Sequence, residues 1–282
     1  MHAYRRVVAL LLLSAPFFGL LGHTSAAAQD VDTGWKNVAE LTLVLTGGNA
    51  TSRTFGFKNT ADYRWANASF QLSAGGVRAE AGTVTRTATG TPDNFTVTET
   101  TDTRTTAESY FLRSRLDRKI SEAAFLFGGA GWDRNTFAGV ENRYTAVAGA
   151  GRTWLEEEAR RFKTDLGVTY TVQDDVVENP DVDNSFMGLR ASYDYFRTLS
   201  ETTDYASTLV ADQNLQDTEN LRLNWTNSLS VAMSARLALK TSYQILFDNR
   251  PALVSVALGD GTVLTPLGKV DSVFSVAIVA NF

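Results

Sequence analysis

Alternation runs through Val270-Asp-Ser-Val-Phe-Ser-Val-Ala-Ile-Val-Ala-Asn-Phe282, the last thirteen residues of the sequence. From residue 274 onward one face of this stretch is apolar and consists of Phe274, Val276, Ile278, Ala280 and Phe282. The opposite face is mixed and includes Asp271 and Ser275. Because successive side chains of a β-strand point to opposite faces, the pattern predicts a strand with one apolar face and an aromatic end.

The terminal aromatic resembles the closing strand of bacterial outer-membrane β-barrels. In that group the C-terminal aromatic residue is part of the signal that the barrel-assembly machinery recognises. The resemblance implies that Phe282 is an assembly signal and that this machinery is a partner of the chain. A soluble sheet could end in the same way, so the rest of the sequence must decide.

Residues 1–28 have the composition of a secretory signal peptide. Arg5 and Arg6 precede an apolar run over 7–21, and Ala26-Ala27-Ala28 forms a small-residue cleavage site. The run is shorter than the roughly 20 residues of a transmembrane helix. We therefore predict an exported protein with a single domain at 29–282. The absence of cysteine excludes both a lipid-anchored lipoprotein and disulfide bonds.

Charge and hydropathy narrow the class further. Without residues 1–28 the chain has 24 basic and 31 acidic residues, a formal net charge of −7, since Arg5 and Arg6 leave with the signal. An acidic chain argues against nucleic-acid binding, which needs a basic surface. No later apolar run approaches 18 residues, so an integral membrane protein of this sequence has to be a β-barrel.

The remaining sequence predicts an all-β, up-and-down antiparallel barrel of about twelve strands with both termini in the periplasm. The predicted strands cover 35–46, 53–64, 69–78, 107–117, 123–134, 140–153, 162–173, 185–197, 203–212, 219–231, 236–248 and 270–282. Several of them are 10–13 residues long, which suits a tilted membrane-spanning strand better than a soluble one. Patterning is poor in the fifth and ninth strands.

The connections differ in length according to the side on which they fall. Three long connections, 80–106, 174–184 and 249–268, lie on one side and are predicted to be polar loops. The other side has short connections at 65–68, 118–122, 154–161, 198–202 and 232–235. Long outer loops and short periplasmic turns are typical of outer-membrane barrels. A soluble periplasmic β-sandwich or a lipocalin-like barrel explains the alternation but not this asymmetry.

Aromatic residues cluster at the predicted periplasmic rim, where amphipathic rings favour the membrane–water boundary. The predicted interfacial girdle comprises Trp35, Trp65, Trp154 and Tyr195, with Phe162 and Phe282 at the same level. For any single residue, a place in the core of a soluble fold is an equally ordinary explanation.

Several short motifs, taken in order, resemble the salt-induced outer membrane proteins, a bacterial family that shares a domain of unknown function. The motifs are Gly34-Trp35, Ala39-Glu-Leu-Thr-Leu43, Thr46-Gly-Gly-Asn49, Trp132-Asp-Arg134, Phe137-Ala-Gly139, Arg143, Gly149-Ala-Gly-Arg-Thr-Trp-Leu155 and Asp165-Leu-Gly-Val-Thr-Tyr170. The resemblance spans nearly the whole exported chain. It implies an outer-membrane barrel and no settled activity. The Thr-rich stretch 80–106 is longer than the resemblance leads us to expect.

Sorting the strands by face predicts a charged lumen and favours a narrow pore. The predicted basic residues are Lys58, Arg64, Arg113, Arg115, Arg143, Lys163, Arg190, Arg222, Arg236 and Lys240, and the acidic residues are Glu40, Asp62, Asp117, Glu141, Asp165, Asp194 and Asp248. An excess of arginine and lysine predicts a weak preference for anions. Alternatively, these charges pair across strands and brace the wall, for example Asp62 with Arg113 or Arg115, and Asp165 with Arg143 or Arg190.

Two other functions receive less support. An enzyme is disfavoured because the only histidines, His2 and His23, lie in the predicted signal peptide, so common nucleophilic and transition-metal sites cannot form. We predict no cofactor. A structural or adhesive barrel would use the long outer loops, and the acidic loop 174–184 could contact lipopolysaccharide through divalent cations. That loop matches no EF-hand, and a solvated, repulsive surface is the favoured explanation.

Overall fold

A computed structural model describes residues 33–46, 50–91, 94–179 and 182–282, and shows a closed barrel. Twelve strands form this barrel, each antiparallel to its neighbours, and the last strand pairs with the first. The predicted fold class is therefore confirmed. The predicted signal peptide lies outside the described residues.

The strands alternate in direction around the barrel in chain order. They are β1 (Gly34–Thr46), β2 (Ala50–Arg64), β3 (Ala68–Thr91), β4 (Asn94–Lys119), β5 (Ala124–Asn135), β6 (Val140–Glu156), β7 (Arg160–Asp175), β8 (Ser185–Ser200), β9 (Thr203–Asn214), β10 (Leu221–Ala232), β11 (Leu237–Asp248) and β14 (Val270–Asn281). A separate hairpin of β12 (Leu253–Leu258) and β13 (Gly261–Pro266) lies in the connection between β11 and β14.

Closure of the barrel depends on a short contact. β1 pairs with β2 along its whole length, but it pairs with β14 only from Val38, opposite Asn281, to Leu41, opposite Ile278. A stagger of this kind arises when tilted strands close into a barrel. Because the paired run of β1 and β14 is short, the closing seam has few backbone hydrogen bonds. Contacts between side chains on the two sides of the seam therefore contribute to closing the barrel.

The outward face of the barrel is apolar. Outward residues of most barrel strands leave large apolar side chains exposed, including Leu41, Phe57, Leu112, Leu126, Leu166, Leu189, Leu239 and Phe274. An apolar surface that surrounds the whole barrel would be unfavourable in water and is the form expected of a barrel in a bilayer. The even-numbered face of the closing strand β14 lies on this surface, as its alternation predicts.

The two rims differ as the sequence predicts. At the short-turn rim, the connections are 65–67, 120–123, 157–159, 201–202 and 233–236. The opposite, long-loop rim has 176–184, 215–220 and 249–269, together with a 3₁₀ turn at Thr136–Ala138. In the described parts of the chain, no helix is long and apolar enough to span a membrane.

The Thr-rich stretch 80–106 is not a loop, which corrects the prediction. β3 and β4 continue through it as a two-stranded ribbon beyond the barrel, with Thr85 opposite Thr100 and Thr87 opposite Thr98. A register shift between Ala79 and Glu80 marks the base of the ribbon. β-branched threonine favours extended backbone. Since both faces of the ribbon are exposed, no apolar row marks it in the sequence.

The predicted loop 249–268 is likewise partly structured, because it contains the hairpin of β12 and β13. Gly139 in the connection between β5 and β6 lies beneath this region. Its φ of 77° is left-handed, and a Cβ at this position would lie 2.4 Å from the Cβ of Ala252. Glycine is therefore required on both counts.

We expect the ribbon to be dispensable for the barrel. Residues 86–99 pair across the ribbon only with one another, and β2 reaches no further along β3 than Thr83. Replacing residues 86–99 with a two-residue Asn-Gly turn should leave the midpoint of thermal unfolding within a few degrees of the parent. The faster gel migration of the unheated barrel should also be retained. Loss of that migration shift would show that the ribbon takes part in assembly.

Candidate functional site: the interior of the barrel

Burial and strand register together assign the inward rows of the barrel. Inward side chains are even-numbered on β1, β2 and β8–β11, and odd-numbered on β3–β7 and β14. Thirteen predicted lumen residues lie on these rows: Lys58, Asp62, Arg64, Arg113, Arg115, Asp117, Arg143, Lys163, Asp165, Arg190, Asp194, Arg222 and Lys240. Glu40 and Asp248 lie on the same rows.

Two predicted lumen residues lie elsewhere. Glu141 sits at a register shift between Val140 and Asn142 and forms an ion pair with Arg134, a residue on the outward row of β5. The bulge breaks the alternation on which its assignment rested. Arg236 precedes β11 and is exposed in the turn at 233–236, because the strand begins one residue later than predicted.

A buried cluster of three charges lies next to the closing seam. Lys240 Nζ on β11 donates to both carboxylate oxygens of Glu40 on β1, at 3.0 and 3.2 Å. Lys58 Nζ on β2 lies 3.4 Å from the same carboxylate. Lys240 faces Ala277 of β14, whose small side chain leaves room for lysine to reach across that strand. The cluster therefore ties three strands together from inside.

A second cluster crosses the wall from β4 to β7. Arg115 Nε lies 2.7 Å from Asp117 Oδ1, and its Nη2 lies 2.9 Å from Asp165 Oδ2. Ser192 Oγ on β8 donates to the other oxygen of Asp165 at 2.6 Å. The guanidinium carbon of Arg115 lies 4.1 Å from the centroid of the Phe127 ring, over which it passes. Each charged group here has a partner of opposite charge.

The braces of the interior differ from the predicted pairs. Asp62 accepts from Gln71 Nε2 at 2.8 Å, because β3 separates it from the arginines of β4. Arg190 binds Asp212 on β9, at 2.7 and 2.9 Å. Arg113 pairs with Asp133 on β5.

Asp133 and Asp212 are therefore lumen residues that the sequence-based reasoning missed. They lie on β5 and β9, the two strands whose patterning is poor. These two carboxylates remove much of the predicted excess of base over acid in the lumen.

Inward aromatic rings are a further feature that the sequence-based reasoning missed. Phe111, Phe125, Phe127, Phe186 and Phe196 all lie on inward rows and are 6% exposed or less. The rings of Phe125 and Phe127 fill space above glycines of β6 and β7. A Cβ on Gly151 would lie 2.2 Å from Phe125 Cζ, and a Cβ on Gly149 would lie 2.8 Å from Phe127 Cε1.

This packing gives a physical reason for two of the motifs. Gly149-Ala-Gly151 and Gly167 follow the alternation of the inward row, and the pattern Phe125-Leu-Phe127 supplies the rings that cover them. The sequence does contain a signal for this packing: two glycines of β6 are two residues apart, as are two phenylalanines of β5. Arginines lie over several of these rings, including Arg113 over Phe111 and Arg161 over Phe196.

A group of polar residues lies near the long-loop rim. Arg143 Nε on β6 donates to Gln173 Oε1 on β7 at 2.6 Å, and Arg222 Nη1 on β10 donates to the same oxygen at 3.4 Å. In the described parts of the chain, no cluster of three or more histidine, cysteine, aspartate or glutamate side chains is arranged to hold a metal ion.

The predicted girdle residues all lie on the outward face near the short-turn rim. Trp35 and Trp65 flank Tyr63 with ring centroids 4.9 and 4.5 Å away. Trp154 Nε1 donates to Thr164 Oγ1 at 2.8 Å, and Tyr195 packs against Phe162. Phe282 is exposed on the same face. A role for these rings at the membrane boundary stays a prediction.

A closed antiparallel barrel with an apolar exterior and a charged interior belongs to the class of outer-membrane β-barrels. Residues 39–255 match the family described as Protein of unknown function, DUF481, and the chain belongs to that family. Among curated proteins, none matches the sequence.

Solved structures with a similar chain path are outer-membrane proteins. The COG4313 outer membrane channel from Pseudomonas putida F1 has a TM-score of 0.46 and 12% identity, over 94% of this chain and 100% of that one. A NanC porin has a TM-score of 0.44 and 10% identity, over 87% and 98%. The translocator domain of autotransporter NalP from Neisseria meningitidis has a TM-score of 0.44 and 11% identity, over 89% and 88%.

The charge cluster beside the seam predicts a large effect of one substitution. Glu40→Gln leaves Lys58 and Lys240 buried without their counter-charge, and should lower the free energy of unfolding by about 3–5 kcal/mol. Urea unfolding in lipid vesicles, followed by tryptophan fluorescence, measures it. Glu157→Gln, in an exposed ion pair with Arg160, is the control and should change stability by less than about 1 kcal/mol. Equal stabilities of the two variants would contradict the assigned role of Glu40.

The aromatic packing predicts a second effect. Gly151→Ala places a methyl group against the Phe125 ring and should cost about 1–3 kcal/mol of unfolding free energy in the same assay. Adding Phe125→Leu should recover part of the loss, because the smaller side chain vacates that space. Gly128→Ala is the matched control, since the nearest atom to its Cβ would be 3.9 Å away. A Gly151→Ala barrel as stable as the control would refute the packing argument.

Proposed function

We propose that this protein is a narrow channel of the Gram-negative outer membrane, which passes small solutes or ions by diffusion with a weak preference for anions. The observation that carries the proposal is the division of the barrel wall into an apolar outward face and an inward face of charged groups and aromatic rings. Arg143 and Arg222, which form no ion pair with a carboxylate among the described residues, lie near the long-loop rim and support the anion preference.

The packing of the interior supports a narrow path and not a wide aqueous one. Inward side chains in the middle of the barrel are almost inaccessible to water, although they face the lumen. Lys58, Phe127, Thr169, Thr171, Lys240 and Gln244 are all 5% exposed or less. Barrels of 16–18 strands leave a wide aqueous channel, whereas side chains can fill one of eight strands. Twelve strands lie between these limits.

A structural barrel without transport is the second candidate. The buried clusters around Glu40 and Asp165 brace the wall, and the ribbon of β3 and β4 offers an exposed surface beyond the long-loop rim. Such a barrel would act through its outer surface, by contact with lipopolysaccharide or another cell surface. The resemblance to salt-induced outer membrane proteins is compatible with either candidate.

Two partners follow from the proposed location. Outer-membrane lipid and lipopolysaccharide would surround the apolar face, and the barrel-assembly machinery would recognise the closing strand through Phe282. An enzymatic role has little support, since the described residues include neither histidine nor cysteine. We expect no cofactor and no nucleic-acid partner.

Widening the interior tests the channel directly. Phe127→Ala removes an inward ring and should raise the single-channel conductance in planar bilayers at least twofold. Leu126→Ala is the matched control, because Leu126 is the next residue along β5 but lies on the outward face. Its conductance should equal that of the parent. Reversal potentials in a potassium chloride gradient should indicate a modest preference for chloride.

The same measurements distinguish the two candidates. If neither the parent nor the Phe127→Ala barrel conducts, while both show the gel migration of a folded barrel, the channel is refuted and the structural candidate is favoured. Cation selectivity of the parent would refute the anion preference and leave the channel standing.

A further inference from the structure

Arg143, Gln173 and Arg222 form a group in the interior that is separate from the ion pairs of the barrel wall. Arg143 and Gln173 face each other on adjacent strands, whereas Arg222 reaches the same glutamine from β10, three strands beyond β7. All three lie within a few residues of the strand ends at the long-loop rim. Both guanidinium groups donate to the single oxygen Gln173 Oε1, at 2.6 and 3.4 Å.

The geometry of this group is fixed on each side. Gln173 Nε2 donates to Asp175 Oδ1 at 2.6 Å, so the amide oxygen is the end that faces the arginines. The guanidinium carbon of Arg222 lies 5.3 Å from the centroid of the Phe186 ring, a contact that restricts its position. Gln173 and Phe186 thus position the two cations close together, while Asp212 on β9 and Asp248 on β11 face Arg222 from the neighbouring strands.

These arginines differ from Arg113, Arg115 and Arg190 in their counter-charges. Arg113, Arg115 and Arg190 each form an ion pair with a carboxylate. In the described residues, no carboxylate oxygen lies within 4.0 Å of Arg143 or Arg222. Asp248, the neighbour of Arg222 on β11, accepts a hydrogen bond from the backbone N–H of Arg250 at 2.9 Å.

We propose that Arg143 and Arg222, positioned by Gln173, bind one oxyanion group inside the barrel, the carboxylate or phosphate of a small solute. A neutral amide oxygen cannot compensate two positive charges, whereas an oxyanion accepts hydrogen bonds from both guanidinium groups. This site adds a ligand class to the proposed channel. It rests on the proposed function because the solute would reach the site through the lumen.

The surroundings restrict the ligand further. A cavity of about 210 Å³ adjoins the site, and Gln173 and Phe186 belong to its lining. Carboxylates of the acidic connection, Asp174, Asp175, Glu178 and Asp183, line the same cavity. They oppose entry of highly charged anions, so we expect a ligand with a single oxyanion group. Neutralising Glu178, an exposed member of this set, should strengthen binding of the anion.

Isothermal titration of the refolded barrel in detergent tests the site without any need for conductance. Sodium acetate and inorganic phosphate are titrated separately, with chloride adjusted to hold the ionic strength constant. The parent should bind at least one of them, and the one that binds identifies the carboxylate or the phosphate as the source. Arg143→Gln and Arg222→Gln should each weaken the dissociation constant at least tenfold, and Gln173→Glu should abolish binding.

Three controls make the result decisive. Arg160→Gln changes an exposed arginine at the start of β7, at the short-turn rim, and should leave binding unchanged. The double variant Arg143→Lys/Arg222→Lys keeps the charge, loses the planar fork, and should bind with intermediate affinity. Gel migration verifies folding of each variant, and the lysine variant replaces any glutamine variant that fails to fold.

The outcomes also separate this site from the proposed function. No binding of either anion by the parent, or equal binding by the parent and the substituted barrels, overturns the site even if the barrel conducts. Binding that requires both arginines upholds the site even if planar bilayers show no current.

Discussion

Glu40 on β1 and Lys240 on β11 meet inside the barrel, on opposite sides of the closing strand β14. The seam that they span has only a short run of paired residues, from Val38 to Leu41. A shift of one residue along the seam would turn Glu40 towards the apolar exterior, because the side chains of a strand alternate. The buried charges therefore select one register, although a buried ion pair adds little stability of its own. Every inward row of the barrel follows from that register.

The rest of the interior depends on complementary contacts, between glycines and aromatic rings and between arginines and carboxylates. Glycines of β6 and β7 would leave gaps in the wall, and the rings of Phe125 and Phe127 fill them. Arg115 then lies across the Phe127 ring and reaches a carboxylate on β7. The ring also reduces the contact of that guanidinium group with water. A narrow, rigid interior results from this layering, because few of these side chains can move without exposing a charge or opening a void.

The sequence predicts most of the barrel wall, because one apolar face in contact with lipid imposes a period of two. Prediction from the sequence fails where contact with lipid does not impose this alternation. The ribbon formed by the outer parts of β3 and β4 is exposed on both faces, so threonine alternates with residues such as Arg86, Ala88 and Glu99 and no apolar row appears. On β5 most of the inward residues are phenylalanines and glycines, so the inward face is not clearly more polar than the outward face. Ion pairs are hardest to predict, since strand tilt brings Arg115 to Asp165 across two intervening strands.

The distribution of paired and unpaired charges divides the lumen into two functional parts. Around Glu40 one carboxylate faces two lysines, and around Asp165 one arginine faces two carboxylates, so opposite charges in contact weaken the field of each cluster at short range. Near the long-loop rim, Arg143 and Arg222 share an uncharged partner, and among the described residues neither forms a direct ion pair, although Asp212 and Asp248 lie on the strands beside Arg222. In the proposed channel, discrimination between ions would belong to the region beneath the long loops, while the ion-paired region would fix the width of the path. Substitutions of Arg143 or Arg222 should alter ion selectivity with little loss of stability. Substitutions in the clusters around Glu40 and Asp165 should lower stability with little change in selectivity.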